Sequence, residues 1–442
     1  MAPALVDRLA FPTAEIRRSV SHGRWLAAPA TLSEAADLLL RGARLPDRDE
    51  LVNVAILGDR ILGVDIASRP ARATIDLGGR VVTPGLVESH IHLDKALLDD
   101  RLASTAGTLE EAIRLTGEAK RAFTVDDIRD RARRVLDLAV RAGTTAMRSH
   151  VEVDPIVGLA GMTALLPLRE EYAPALDLQL CAFAQEGIVK APGTEGLLRR
   201  ALTMGADLIG GCPYNDTDGR EHIRIVFALA TAFGVDADFH VDFADEPEHL
   251  HVREIAAHTV RAGWQGRVAV GHLSELGAVP AFRQDEIIAE IAGAGVGVIC
   301  LPATDLYLMG RTDGHNVRCG LPPVRRLLAA GVPVALASNN VRNPFTPVGT
   351  ADLSHMAFVA AVAAHMGTPA DLRALLAAIT VHPARLLRLP DYGLDPGCRA
   401  DLVVWDCARP EDTVATLAPR TLVVKRGRVT LEAHHDVIER WR

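Results

Sequence analysis

The sequence predicts an α/β chain: a (β/α)8, TIM-like barrel with a small flanking β-sandwich domain built from both termini. Three observations carry this expectation. The middle of the 442-residue chain alternates compact apolar strands with amphipathic helical stretches. Both ends are instead runs of short strands joined by tight turns. The 49% hydrophobic content is spread over runs too short for a membrane span, which needs roughly 18 apolar residues.

Residues 1–36 read as an N-terminal extension. Its "EIRRSVSHGRW" is not followed by an apolar segment, so no signal peptide is expected. Residues 37–82 hold "DLLLRGARL", "LVNVAILGDRILGVD" and "ATIDLGGRVV", with hairpin-like turns at "GDR" and "GGR". Residues 389–442 repeat the style in "ADLVVWD" and "TLVVKRGRVTL". The two ends are expected to pair as one small domain, bringing the termini together.

Residues 83–388 have a different rhythm. The expected strands are "VVTPGLVESHIH", "TTAMRSHVEV", "LDLQLCAFAQ", "ADLIGGCP", "VDADFHVD", "RVAVGHLSE", "GVGVICLP" and "VPVALASN". Between them lie stretches such as "TEGLLRRALTMG", apolar at helical spacing and ending in glycine. Eight such parallel βα units suggest a closed barrel. An open doubly wound sheet is the alternative, but it usually carries a glycine-rich first turn, and none is present.

Composition excludes some functions. A net charge of -8 and no basic stripe with interleaved aromatics argue against nucleic acid or anionic membrane as partner. The six cysteines, at 181, 212, 300, 319, 398 and 407, form no CxxC. Neither a zinc knuckle nor a disulfide framework is suggested, and a reduced, cytoplasmic setting fits. The expected partners are a small-molecule substrate and further copies of the chain as a homo-oligomer.

Barrel strands end at the active-site mouth, so polar residues there are informative. The first strand ends in His90 and His92, the second carries Arg148, His150 and Glu152, and the third ends in Gln185 and Glu186. The fifth ends in His240 and Asp242, the sixth in His272, and the eighth in Ser338, Asn339 and Asn340. Alternation puts residues i and i+2 on one face, so His90 and His92 project together. Several imidazoles converging on one mouth suit Zn, Fe or a related divalent ion. Such an ion lowers the pKa of water for attack on an sp2 carbon. A packed internal layer of hydrogen-bonded histidines is the alternative.

The motifs "TPGLVESHIHLDK", "RSHVEVD", "LQLCAFAQEGI", "FHVDF", "GHLSE" and "RTDGHNVRCGLPPVRRLLAAGVPVALASNNVRNPFTPVGTADL" together resemble the cytosine deaminase-like branch of the amidohydrolase superfamily. The resemblance covers nearly everything after residue 37. It implies one divalent metal ion (Zn, Fe, Co or Mn) on His90, His92 and His240. It places His272 beside the attacking water and Gln185 against a substrate carbonyl or amide. No lysine stands on strand three or four, which implies a mononuclear site.

Two positions depart from that pattern. Phe243 stands where the branch has a proton-shuttling Glu, and Asn339 where it has an Asp that ligates the metal and serves as base. Asn339 can still ligate through its amide oxygen, but it cannot take a proton. His272 and Asp242 are candidate replacements for the base, and Asp305 is a further one. Phe243 suits a substrate with an alkyl or aryl group. Lys95, one of four lysines, and Tyr307 are candidate substrate contacts.

The expected function is a metal-dependent hydrolase of a C–N bond, using metal-activated water. An amide, urea, carbamate or thiocarbamate is slightly favoured by Phe243. A deaminase or aminohydrolase of a pyrimidine or triazine is the alternative. A non-catalytic binder on a degenerate barrel is the alternative of another class.

Overall fold

A computed structural model describes residues 35–434 except 66, 68, 103, 248 and 249. The expected extension falls almost wholly outside these residues. Among them, no helix is long and apolar enough to cross a membrane.

The small domain opens with β1 (Ala36–Arg44), β2 (Leu51–Leu57), β3 (Arg60–Asp65), β4 (Ala71–Asp76) and β5 (Val81–Pro84). The barrel strands are β6 (Leu86–Ile91), β7 (Thr144–Glu152), β8 (Asp177–Ala184) and β9 (Leu208–Gly211). They continue with β10 (Asp236–Val241), β11 (Val268–His272), β12 (Gly297–Cys300) and β13 (Val334–Leu336). The chain returns to the small domain as β14 (Leu402–Trp405), β15 (Arg420–Lys425) and β16 (Arg428–Glu432).

β6 to β13 pair in chain order, all parallel. Their residues are almost all buried, as expected when helices cover the outer face and side chains fill the interior. The ring closes between its first and last strands. Asn339 N–H donates to His90 O and His92 N–H donates to Asn339 O, both at 2.8 Å. The seam therefore lies at the mouth, and it fixes the backbone of three expected site residues against one another.

The helices follow the expected alternation. Thr194–Met204, Gly219–Phe233 and His251–Ala262 each end at a left-handed glycine: Gly205, Gly234 and Gly263.

The two chain ends build one sheet, ordered β16-β15-β14-β5-β1-β2-β3, with β4 also on β1. It closes on its own apolar core, including Leu40, Val54, Ile56, Val82, Leu402 and Val404. The sequence reads Val81–His92 as one barrel strand, but the structure divides it at Gly85. β5 pairs with β14, so Thr83 and Pro84 belong to the small sheet. A Cβ at Gly85 would lie 2.0 Å from Thr145 Oγ1, so only glycine permits the close pass from one sheet to the other. That break depends on a partner strand some 320 residues away in the chain and leaves no local periodicity signal.

A polar layer fills the barrel below the mouth. Arg148 donates to Asp238 at 2.8 Å and to Gln179. His150 Nε2 lies 3.4 Å from Asp238. Glu88 accepts from the backbone of His90 and Ser338, and burial pushes its carboxyl up to about 7.

Candidate active site at the barrel mouth

β6 and β10 deliver His90, His92 and His240 to one point. One ring nitrogen of each lies within 4.8 Å of the others. The His90 and His240 rings stack at 4.4 Å, and the His92 ring meets His240 edge-on at 5.1 Å. Burial, then the crowding of neighbouring imidazoles and Lys95, pushes all three pKa values well down. They are therefore neutral, the form that offers a lone pair to a metal.

Both ring nitrogens of His90 and His92, and His240 Nε2, are buried without a hydrogen-bond partner. Asn339 Oδ1 shares that condition. Each such group costs about 1–3 kcal/mol unless something outside the chain pairs with it. Three imidazole nitrogens and a carboxamide oxygen match the donor preference of Zn, Fe, Co or Mn. The residues present fit one such ion.

Two neighbouring groups could be mistaken for the same thing. His90, His150 and Asp238 also bring ligand atoms together, but Arg148 already neutralises Asp238. Glu152, Asp154 and Glu186 form a third group. There the Lys120 ammonium sits among the carboxylates at 2.5, 3.1 and 2.6 Å.

A narrow inner cavity, with open space of only about 10 Å³, adjoins the histidines. His92, His240, His272, Asn339, Gln185, Lys95 and Phe243 line it. So seven of the expected site residues share one wall. Lys95 Nζ is 2.6 Å from Glu152 and 3.4 Å from Gln185 Oε1, with the Phe345 ring at 4.5 Å. Its buried ammonium thus faces the cavity with its charge already partnered. The Phe243 ring stacks on His272 at 3.9 Å.

Asp242 and Tyr307 lie elsewhere. Strand alternation puts Asp242 on the face of His240, but the strand ends at Val241 and Asp242 turns to φ +52°. Its carboxylate accepts from His251 N at 2.7 Å and Val252 N at 3.1 Å, capping the next helix. Both oxygens are committed and neither lines the cavity. Tyr307, a candidate substrate contact, sits on the helix Pro302–Leu308. It packs on the apolar cluster of Phe243, Leu308, Met309 and Phe345.

Among the described residues, no carboxylate lines the inner cavity. Sequence reasoning missed three of its wall residues: Tyr214, Thr304 and Phe345. Tyr214 follows β9, the one early barrel strand whose end offered no charged residue or histidine to notice. Asn340 is held by Asn343 at 2.7 Å, which also donates to Lys95 O. Outward, Tyr214 and Phe243 also border a vestibule of about 470 Å³, lined by Leu109, Leu308, Met309 and Arg311.

The amidohydrolase family profile matches residues 73–431. Over 413 residues the chain is 29% identical to N-isopropylammelide isopropyl amidohydrolase of Pseudomonas sp. strain ADP, covering 91% of this chain and 98% of that enzyme. It is 29% identical over 367 residues to pterin deaminase of Rhizobium rhizogenes, covering 81% and 82%. Among solved structures, 5-methylcytosine deaminase of Klebsiella pneumoniae with 5-fluorocytosine aligns at a TM-score of 0.87 and 29% identity, covering 91% of this chain and 99% of that one.

Proposed function

Because this chain belongs to the amidohydrolase family, we propose that it hydrolyses the bond between an electrophilic ring carbon of a small nitrogen heterocycle and an exocyclic, alkyl- or aryl-substituted amine. The carrying observation is the cavity itself. His92 and His240, with bare ring nitrogens, and the Asn339 carboxamide face a narrow space walled by Phe243 and Phe345, with His90 stacked on His240 and no carboxylate in the wall. Two relatives matched over nearly their whole length are named for N-isopropylammelide and 5-methylcytosine, both ring compounds. They shift the weight from amides and ureas toward the ring. Hydrolysis of an amide, urea or thiocarbamate is the second reading, supported by Phe243, since these substrates need no proton delivered to a ring nitrogen.

His90, His92 and His240, together with Asn339 Oδ1, would hold one divalent ion, which would supply Lewis acidity and lower the pKa of water. The remaining work falls to the chain. Gln185 and Lys95, both facing the cavity, orient a substrate oxygen or ring nitrogen by hydrogen bonding. Phe243 and Phe345 contact the flat ring and its alkyl group and keep bulk water out. His272 presents its Nε2, since Nδ1 is engaged by a carboxylate behind the wall. That nitrogen takes a proton from the attacking water and passes it to the amine. A C–O bond forms, the C–N bond breaks, and free amine leaves. General base catalysis of this kind contributes about 10²- to 10⁴-fold.

The test is a hydrolysis screen with Zn, Fe, Co or Mn reconstitution, read as amine release. It should cover N-isopropylammelide, 5-methylcytosine, pterin, aryl ureas and thiocarbamates. N-alkylated ring compounds are expected to turn over fastest, and only with metal. Turnover of ureas or thiocarbamates alone would favour the second reading. No turnover of anything, with no metal retained, would leave a binder.

A further inference from the structure

The inner cavity has no carboxylate in its wall, yet one lies directly behind it. Asp305, on the helix Pro302–Leu308, is fully buried. Its Oδ1 is 2.7 Å from His272 Nδ1, and its Oδ2 accepts from Leu301 N at 3.2 Å. The face of the imidazole is covered by Phe243, stacked at 3.9 Å and 24°. The backbone is constrained as well: His272 and Leu273 hold φ of +73° and +60°, a left-handed conformation that costs non-glycine residues energy. One ring is thus held at an edge, on a face and at its own backbone. That is more than packing requires of a single buried histidine.

We infer that Asp305 is a positioning residue for hydrolysis: it fixes His272 as the Nδ1–H tautomer, with Nε2 bare toward the cavity, while Phe243 clamps the ring. The inference rests on the hydrolytic reading above and adds to it. It also changes what Phe243 and Asn339 mean. On this reading the strand-eight carboxylate has been replaced by one that acts from the helix after β12, through an imidazole. Phe243, in place of a charged shuttle, braces that imidazole.

The chemistry of the pair makes a sharp test possible. In Asp305→Asn, the Leu301 N–H still needs an acceptor, so the amide oxygen stays with it. The amide NH2 then faces His272 Nδ1 and donates to it. The tautomer inverts, and Nε2 now carries the hydrogen. A neutral imidazole with Nε2–H cannot accept a proton on the cavity side.

The experiment uses the zinc-reconstituted full chain, labelled with 15N-histidine, in mildly alkaline buffer. The His272 signals are assigned by difference against His272→Gln. The expected wild-type pattern is a protonated Nδ1 and a bare Nε2, and the expected Asp305→Asn pattern is the reverse. Zinc content stays the same. On the fastest substrate of the screen, kcat falls about 10²- to 10⁴-fold, while KM changes little. Asp305→Glu, which restores an acceptor, recovers part of the wild-type tautomer ratio. An Nε2–H signal in the wild type overturns the inference, as does an unchanged tautomer in Asp305→Asn. The wild-type spectrum decides even if the Asn variant does not fold. Absence of turnover on every probe would count against the hydrolytic reading alone, because the tautomer is read without a substrate.

Discussion

Two groups of three potential ligands stand at the same end of the barrel, and they are completed differently. Glu152, Asp154 and Glu186 surround the Lys120 ammonium, and Glu152 also reaches Lys95. Every charge there is met from within the chain. Both ring nitrogens of His90 and His92, and Nε2 of His240, are left bare in a buried place. Folding would not retain both arrangements for the same purpose. The carboxylate group is a finished internal ion cluster, and the histidine group is half of a site. Lysine usage supports the distinction. Of only four lysines, Lys95, Lys120 and Lys425 are all at most 2% exposed, although lysine is almost never fully buried unless paired.

The comparison can be broken most easily on the histidine side. His240→Ala is expected to strip the metal and bring turnover to background while the fold survives. Elemental analysis and thermal unfolding would check this together; unchanged metal content would remove His240 from the ligand set.

On the carboxylate side the effect should appear as stability instead. Lys120→Met leaves two buried carboxylates, Glu152 and Asp154, and the half-buried Glu186 facing one another, and breaking a buried pair costs about 3–5 kcal/mol. Urea unfolding measures it, and a loss below about 1 kcal/mol, the range of a surface pair, would show that the cluster is not the internal ion group described.

The same cluster has a pH signature. Burial raises the Glu152 carboxyl, but Lys120 and Lys95 outweigh burial and hold it below the usual range. A carboxyl depressed in the folded state stabilises fully above its unfolded pKa, about 4.3, and loses that contribution as pH falls toward the folded value. Wild-type stability should therefore drop in acid, and the drop should shrink in Lys120→Met. Equal acid slopes in the two proteins would contradict the assignment.

The smallest expected effect sharpens the role of Asn339. Asn339→Asp adds a titrating group beside the histidines, so the shape of the pH–rate profile should change more than its height. An unchanged profile would place residue 339 outside the coordination sphere.

Much of this was legible in the sequence because barrels obey local rules. Apolar strands alternating with glycine-ended helices announced the eight βα units. The strand-end rule brought His90, His92, His240, His272 and Gln185 forward from very different chain positions. Where it failed, the backbone had left the strand. Asp242 shares alternation with His240, yet at φ +52° its carboxylate swings to a helix N-terminus. Tyr214, Thr304 and Phe345 come from segments after strands, where no periodicity fixes direction. Lys120 arrives from the 3-10 turn that follows the helix Leu109–Ala119, and its partners lie at the ends of two different strands. Nothing in "GEAKRAF" points to them.

Gly85 also bears on how the molecule can be divided. The small sheet and the barrel are joined at that residue by one unbroken thread, with Pro84 in one and Leu86 in the other. The return leg is fastened too, since buried Lys425 holds Thr145 O at 3.0 Å and Asp177 at 2.8 Å. The barrel is therefore not an excisable module. A cut before residue 85 would free the edge of the strand that carries both leading histidines. Exchange of the small sheet between relatives would have to carry the glycine, its threonine neighbour and the lysine as one inherited unit.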